Sequence, residues 1–215
     1  MQCISIVYGT SNPAKLASMR KTLAPLSIKI IGLKDINLKL PDVDESGSTP
    51  LENARIKARA YYAILKRPVF ACDSGLYIRG LPDHEQPGIH VRTRNGRRMS
   101  DDEMVAHYSA IARQLGGKAV ARYSNAICLI LSEDKIFEHF DDDISYDPFY
   151  ITGAPHAKRV AGFPIDSLSV NINTGKYYYD EADFIEDAGI APGGFRAFFT
   201  RALDTGNSHI NADRS

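Results

Sequence analysis

The stretch Pro68-Val69-Phe70-Ala71-Cys72-Asp73-Ser74-Gly75-Leu76-Tyr77-Ile78 constrains the fold most, because a run of interior-type residues stops at a carboxylate. A short apolar run opened by proline and closed by Asp-Ser-Gly reads as a buried strand ending in a turn. In open α/β sheets, ligands bind where such strands end, so Asp73 is the residue around which a site would form. Aspartate and serine also make turns by bonding nearby backbone, and the motif alone does not separate the two readings.

The N-terminal third supplies neighbours for Asp73. Gln2 to Tyr8 alternates and is rich in isoleucine and valine, which predicts a first strand. It leads into Gly9-Thr10-Ser11-Asn12-Pro13-Ala14-Lys15, where Asn12 suits an N-cap and Pro13 the first helical position, with Leu16, Met19, Arg20 and Leu23 at helical spacing. Lys15 falls in the first turn, where a cation opposes the helix dipole. Free helix-start N–H groups, the Thr10 and Ser11 hydroxyls and this lysine would together cradle a phosphate; a solvated surface lysine is the alternative. The Gly-x-x-x-x-Gly-Lys spacing of a Walker loop is absent.

Ile28 to Leu33 reads as a second strand, and Thr49-Pro50-Leu51-Glu52 opens a helix with a capping-box pattern. That helix is expected to reach about Leu65, with Leu51, Ala54, Ala58, Tyr61, Tyr62 and Leu65 on its apolar face. Capping accounts for Glu52. Glu45, in the preceding loop, has no such structural duty and would meet Asp73 if the two loops open on one side of the sheet. Two carboxylates brought together repel, and a divalent cation is the usual remedy.

The stretch beyond Asp73, as far as Phe140, reads as a second lobe. Four arginines fall between Arg92 and Arg98, a pattern that grips phosphates or lies solvated in a loop. Ser100-Asp101-Asp102-Glu103 is a capping box for a helix to about Leu115, and Ala119 to Leu131 with Ile136 to Phe140 predict a hairpin. Tyr146-Asp147-Pro148-Phe149 offers a ring to stack on a base and a carboxylate to meet an amino or imino edge, although an Asp-Pro turn explains the same residues. Asp166 to Asp187 is weakly patterned and reads as an insertion. Pro192-Gly193-Gly194 precedes a last helix over Phe195 to Leu203, and the polar tail 205–215 is expected to fray. Residues 1–204 would form a single two-lobed domain.

Charge and cysteine usage set limits on partners. Lysine plus arginine equals aspartate plus glutamate at 26 each, which disfavours a nucleic-acid polymer or an anionic membrane as partner. Cys3, Cys72 and Cys128 are far apart in apolar runs, as reduced core thiols are, and the six histidines lack zinc-ligand spacing. No apolar run approaches the ~20 residues that span a bilayer, and the N-terminus lacks a signal-peptide profile. A cytoplasmic protein is the expectation.

In order and spacing, these landmarks resemble the inosine triphosphate pyrophosphatases, or non-canonical purine nucleoside triphosphate pyrophosphatases. Thr10-Ser11-Asn12-Pro13-Ala14-Lys15 is similar to the family's Thr-Gly-Asn-x-x-Lys. The stretch from Glu45 to Arg59 is similar to Glu-Thr-Gly-x-Thr-Phe-x-Glu-Asn-Ala-x-x-Lys-Ala-Arg, and Cys72-Asp73-Ser74-Gly75-Leu76 to Asp-Asp-Ser-Gly-Leu. Pro87-Gly88-Ile89 and Tyr146-Asp147-Pro148-Phe149 complete the set, over about the first 150 residues. The resemblance implies an elongated α/β fold with a central mixed sheet flanked by helices, a nucleotide cleft between two lobes, and usually a homodimer. It also implies Mg²⁺-dependent hydrolysis of a nucleoside triphosphate to monophosphate and pyrophosphate. Thr10, Ser11, Asn12 and Lys15 would hold the triphosphate with Ser74 beside it, Glu45 and Asp73 would bind Mg²⁺, Asp73 would activate water, and Tyr146 and Asp147 would line the base pocket.

Three departures stand out. Cys72 replaces an aspartate, Val91 to Arg94 replace a Ser-x-x-Arg, and the purine-reading Ser-His-Arg before the last helix appears as Pro192-Gly193-Gly194. A non-catalytic nucleotide-binding protein, or a Maf-like pyrophosphatase acting on another base, are the alternatives that these departures leave open.

Overall fold

A computed structural model describes residues 3–181 and 192–207. Four helices and nine strands follow in the order β1 (Ile4–Tyr8), α1 (Pro13–Leu23), β2 (Ile28–Gly32), α2 (Pro50–Leu65), β3 (Val69–Ile78), β4 (Thr93–Arg94), β5 (Arg97–Arg98), α3 (Asp101–Gln114), β6 (Lys118–Ser132), β7 (Lys135–His139), β8 (Phe149–Thr152), β9 (Ser169–Val170) and α4 (Pro192–Asn207) among the described residues. The fold is mixed α/β. β1 pairs in parallel with both β2 and β3, whereas β6 pairs antiparallel with β7 and β8, and the strand order is β2-β1-β3-β6-β8-β9 with β7 on β6. Parallel neighbours need crossovers, and α1 and α2 supply them.

The chain divides into two compact units, Met1–Ser74 with Asn125–Ser145 and Ile190–Ser215, and Gly75–Ser124 with Tyr146–Gly189. In the first unit the strands are buried on both faces, which is why β1 and β3 read as near-continuous apolar runs. Ile6, Tyr8 and Phe70 pack with Met19 and Leu23 of α1 and Phe195 and Phe199 of α4. The opposite face, Val7, Val69 and Ala71, packs on Ala54, Ala58 and Tyr61 of α2. Because alternate residues of a strand face opposite ways, Asp73 continues the Val69–Ala71 row and is delivered to α2.

In the second unit, Leu76 and Ile78 of β3, Ala119 and Ala121 of β6, and Phe149 and Ile151 of β8 pack on Met104, Val105, Tyr108 and Ala112 of α3. The Ser100 capping box that starts α3 is complete: Ser100 Oγ accepts from Glu103 N, and Glu103 accepts from Ser100 N.

Several sequence expectations need correction. Asp73-Ser74-Gly75 is not a turn; β3 runs straight through it to Ile78, because side chains of α2 rather than local backbone satisfy Asp73. The paired part of the β6–β7 hairpin is not in a second lobe, since residues 125–145 belong to the first unit; only the start of β6, 118–124, belongs to the second. Residues 166–181 are not a loose insertion: Leu168 is fully buried and Ser169–Val170 pairs with β8. Residues 182–187 of that stretch and 208–215 of the tail lie outside the described residues. Pro192-Gly193-Gly194 lies within α4 rather than before it. Cys3 is exposed, unlike half-buried Cys72 and buried Cys128.

Candidate functional site

The buried face of α2 carries two polar residues one turn apart, Asn53 and Lys57, exposed by only 2% and 8%. They share out the carboxylate of Asp73. Lys57 Nζ donates to Asp73 Oδ1 at 2.8 Å, and Asn53 Nδ2 to Asp73 Oδ2 at 3.2 Å. The same two side chains hold the loop before α2: Lys57 Nζ lies 3.2 Å from Glu45 Oε2, and Asn53 Oδ1 accepts from Gly47 N at 2.8 Å. Gly47 is needed there, since a Cβ would sit 2.7 Å from Asn53 Oδ1. The sequence correctly drew Glu45 and Asp73 together, and what lies between them is an ammonium. Burial alone would lower the Lys57 pKa, but Asp73 and then Glu45 outweigh it and hold it above the usual lysine value.

Lys15 approaches the same cluster from α1. Burial first, and the Lys57 ammonium second, lower its pKa, against the pull of Asp73, Cys72 and Glu45. Among the described residues the ammonium of half-buried Lys15 makes no hydrogen bond or salt bridge. The turn ahead of it is less open than the sequence suggests. Asn12 Oδ1 accepts from Ala14 N and Lys15 N, and Thr10 Oγ1 from Asn12 N, so the Asn12 cap already occupies two helix-start N–H groups. Ser11 is exposed. Phe70 pairs with Tyr8, the last residue of β1, so Asp73 and this turn both lie beyond the carboxyl end of that strand.

Other candidates fall elsewhere. Ser74 follows Asp73 along β3 and is half-buried, projecting to the opposite face by alternation. Tyr146, half-buried, and Asp147, exposed, lie in the second unit, on an extended approach to β8 rather than in an Asp-Pro turn. The arginine run serves structure: Arg92 pairs with Asp101 at 2.5 Å, Arg97 is bidentate to Glu103, and Arg94 meets the His107 ring at 3.2 Å. Glu52 does not close a box chiefly on Thr49; its carboxylate accepts from both Ser48 N and Ser48 Oγ at 2.7 Å. Cys72 is inert, its thiol pushed up to about 12 chiefly by burial.

Lys57 and Asn53 are the functional residues that sequence reasoning missed. A signal existed, since Pro50, Asn53, Ala54, Lys57, Ala58 and Tyr61 form one buried stripe and two of its members are polar.

The sequence profile of the Ham1 family matches residues 6–147, more than half of the chain, from β1 through β7. The chain belongs to the Ham1 family. Its Ham1 relatives include the dITP/XTP pyrophosphatase of Rhodopseudomonas palustris, 34% identical over 137 residues that cover 62% of this chain and 63% of that protein. Another is the dITP/XTP pyrophosphatase of Thermus thermophilus, 29% identical over 175 residues, 81% of this chain and 80% of that one. The match thus spans less than two thirds of the Rhodopseudomonas relative. The fold is similar to that of a HAM1 protein from Coxiella burnetii, with a TM-score of 0.70 at 24% identity over 95% of this chain and all of that one.

Glu45 and Asp73 converge on one positively charged atom, and Mg²⁺ is commonly held by one or two carboxylates plus phosphate oxygens. Among the described residues no group of three or more histidine, cysteine, aspartate or glutamate side chains could hold an ion by itself. The fit therefore depends on phosphate.

Proposed function

We propose that this Ham1 chain hydrolyses nucleoside triphosphates to the monophosphate and pyrophosphate, removing non-canonical nucleotides from the pool. The observation that carries this reading is the convergence of Asp73 and Glu45 on one ammonium, Lys57 Nζ at 2.8 and 3.2 Å, with the charge of half-buried Lys15 acting on the same carboxylates. A half-buried ammonium without a side-chain partner is stabilised by an anionic ligand, and a polyphosphate supplies one. The relatives' name, dITP/XTP pyrophosphatase, points to the same substrate class.

Asp73 is the general base. A water oxygen bonds to the α-phosphorus, its proton passes to Asp73, and the bond from the α-phosphorus to the bridging oxygen breaks, so that pyrophosphate leaves with the electron pair. Before substrate and metal arrive, Asn53 and Lys57 fix the Asp73 carboxylate, one donor to each oxygen. Lys15 and the Thr10–Asn12 turn hold the phosphates, and the lysine charge grows in value as negative charge builds on the leaving group. Glu45 and Asp73 would hold Mg²⁺, which supplies charge neutralisation and a more acidic bound water.

The purine clamp is not reproduced at the start of α4. A Cβ at Gly194 would lie 2.0 Å from the Asp143 carbonyl oxygen, so no side chain fits there without backbone movement. Base preference is therefore set elsewhere, and it is the open variable of the assay. The test is pyrophosphate release from ITP, XTP, dUTP and the four common triphosphates, with and without Mg²⁺, by wild type and Asp73→Asn. Metal-dependent release lost in Asp73→Asn is expected. Binding of a triphosphate without cleavage would overturn the catalytic reading in favour of a nucleotide-binding module. A cytoplasmic homodimer completes the proposal, tested by light scattering of the purified protein and by fractionation. No helix among the described residues is long and apolar enough to cross a membrane.

A further inference from the structure

We propose that the Lys57 ammonium is a resident counter-ion that closes the Glu45–Asp73 pair to free divalent cations, so that metal enters only together with a triphosphate. The inference rests on the pyrophosphatase reading and adds the order in which that site fills.

Lys57 Nζ lies 2.8 Å from Asp73 Oδ1 and 3.2 Å from Glu45 Oε2, so the point where the two carboxylates converge already holds a cation. A Mg²⁺ ion binds carboxylate oxygens at about 2.1 Å and demands near-octahedral geometry, which leaves no room for an ammonium at the same point. Asp73 cannot readily offer its other oxygen, because Asn53 Nδ2 holds Oδ2 and the Asn53 amide is itself fixed by Gly47 N. Metal binding thus requires Lys57 to withdraw. Its four-carbon stem permits this, but burial leaves the departing charge with little water to enter.

Charge balance points the same way. The charges of Glu45 and Asp73 are offset by those of Lys57, in contact with both, and Lys15, which acts on both. A bare dication therefore meets little net attraction. A triphosphate changes this, because its oxygens offer the displaced Lys57 a new partner and complete the shell of the metal. By linkage, whatever factor the triphosphate adds to metal affinity, the metal adds to triphosphate affinity.

The experiment measures Mn²⁺ binding by electron paramagnetic resonance, without turnover. Four samples are compared: wild type alone, wild type with an α,β-methylene triphosphate, Lys57→Met, and Lys57→Met with Glu45→Gln. The signal is corrected for Mn²⁺ held by the free analogue. Wild type alone should bind Mn²⁺ weakly, and the analogue should tighten binding. Lys57→Met alone should bind Mn²⁺ about tenfold or more tightly than wild type, given the strength of close charge pairs. Adding Glu45→Gln should remove that gain. The proposal is overturned if wild type binds Mn²⁺ equally well with and without the analogue. It is equally overturned if Lys57→Met, folded by circular dichroism, binds no tighter than wild type. Should Lys57→Met fail to fold, the two wild-type samples decide alone. Failure of wild type to release pyrophosphate, with this Mn²⁺ pattern intact, would remove the pyrophosphatase reading and leave the counter-ion in place.

Discussion

Asp166→Asn should stabilise the protein above neutral pH and leave it nearly unchanged in acid. Asp166 lies in the turn Pro164–Leu168, between Ile165 and Leu168, which are 2% and 0% exposed. Its carboxylate makes no hydrogen bond or salt bridge among the described residues, and its charge acts on Tyr123. Burial pushes its pKa from 3.8 up to about 7. Below the ordinary value both folded and unfolded chains carry the proton, and nothing is lost. As pH rises from there to about 7, only the folded chain keeps the proton, and each pH unit costs about 1.4 kcal/mol. The penalty then levels off at about 4 kcal/mol, an upper bound because the residue is partly exposed. Asparagine does not titrate. Urea denaturation of both proteins at about pH 5 and about pH 8 should show the advantage of Asp166→Asn growing by roughly 2–3 kcal/mol. A gap that stays constant within about 0.5 kcal/mol between the two pH values would refute the reasoning, because it would mean the carboxylate is solvated or paired.

Further perturbations probe other parts of the molecule. Gly194→Ala drives a Cβ onto the Asp143 carbonyl and should cost about 1–3 kcal/mol. Gly193→Ala, one residue earlier in α4 with open space around it, should be neutral or stabilise by up to about 1 kcal/mol, and thermal melts of the two variants check the contrast. Lys57→Met leaves a buried carboxylate without its ion-pair partner and should cost about 3–5 kcal/mol, whereas Lys57→Met with Asp73→Leu should recover much of this in a double-mutant cycle. Asn53→Ala frees both Asp73 Oδ2 and the Gly47 N–H, so kcat for pyrophosphate release should fall about tenfold or more with a smaller change in KM.

Local rules explain why so much of the first unit was legible. The Asn12 cap followed by Pro13 at the first helical position, the Thr49 cap at α2 and the Ser100 capping box at α3 are each settled by a few neighbouring residues, and each starts a helix where the spacing predicts. Asp73 was legible because a carboxylate in an apolar row has few structural excuses. The turn reading of Asp73-Ser74-Gly75 failed because such turns assume local backbone partners, whereas the actual partners come from α2, 16 and 20 residues away in sequence. Likewise Asp166 to Glu181 looks weakly patterned because short turns and a two-residue strand carry no period long enough to read, although Leu168 and Val170 are buried.

The sequence by itself determined the strand–helix alternation of the first third, the helix starts, the carboxylate pair and the lysine of α1, since these depend on neighbouring residues and on motifs of fixed spacing. Only the tertiary structure decided what neutralises the pair. Lys57 could not be told from a solvated helix lysine until β3 was laid beneath α2, because the difference lies in burial and in which through-space partners a flexible side chain meets. The place of Gly194 was decided in the same way. Its lack of a side chain has meaning only once the Asp143 carbonyl is packed against it, a contact between residues that the chain order keeps far apart.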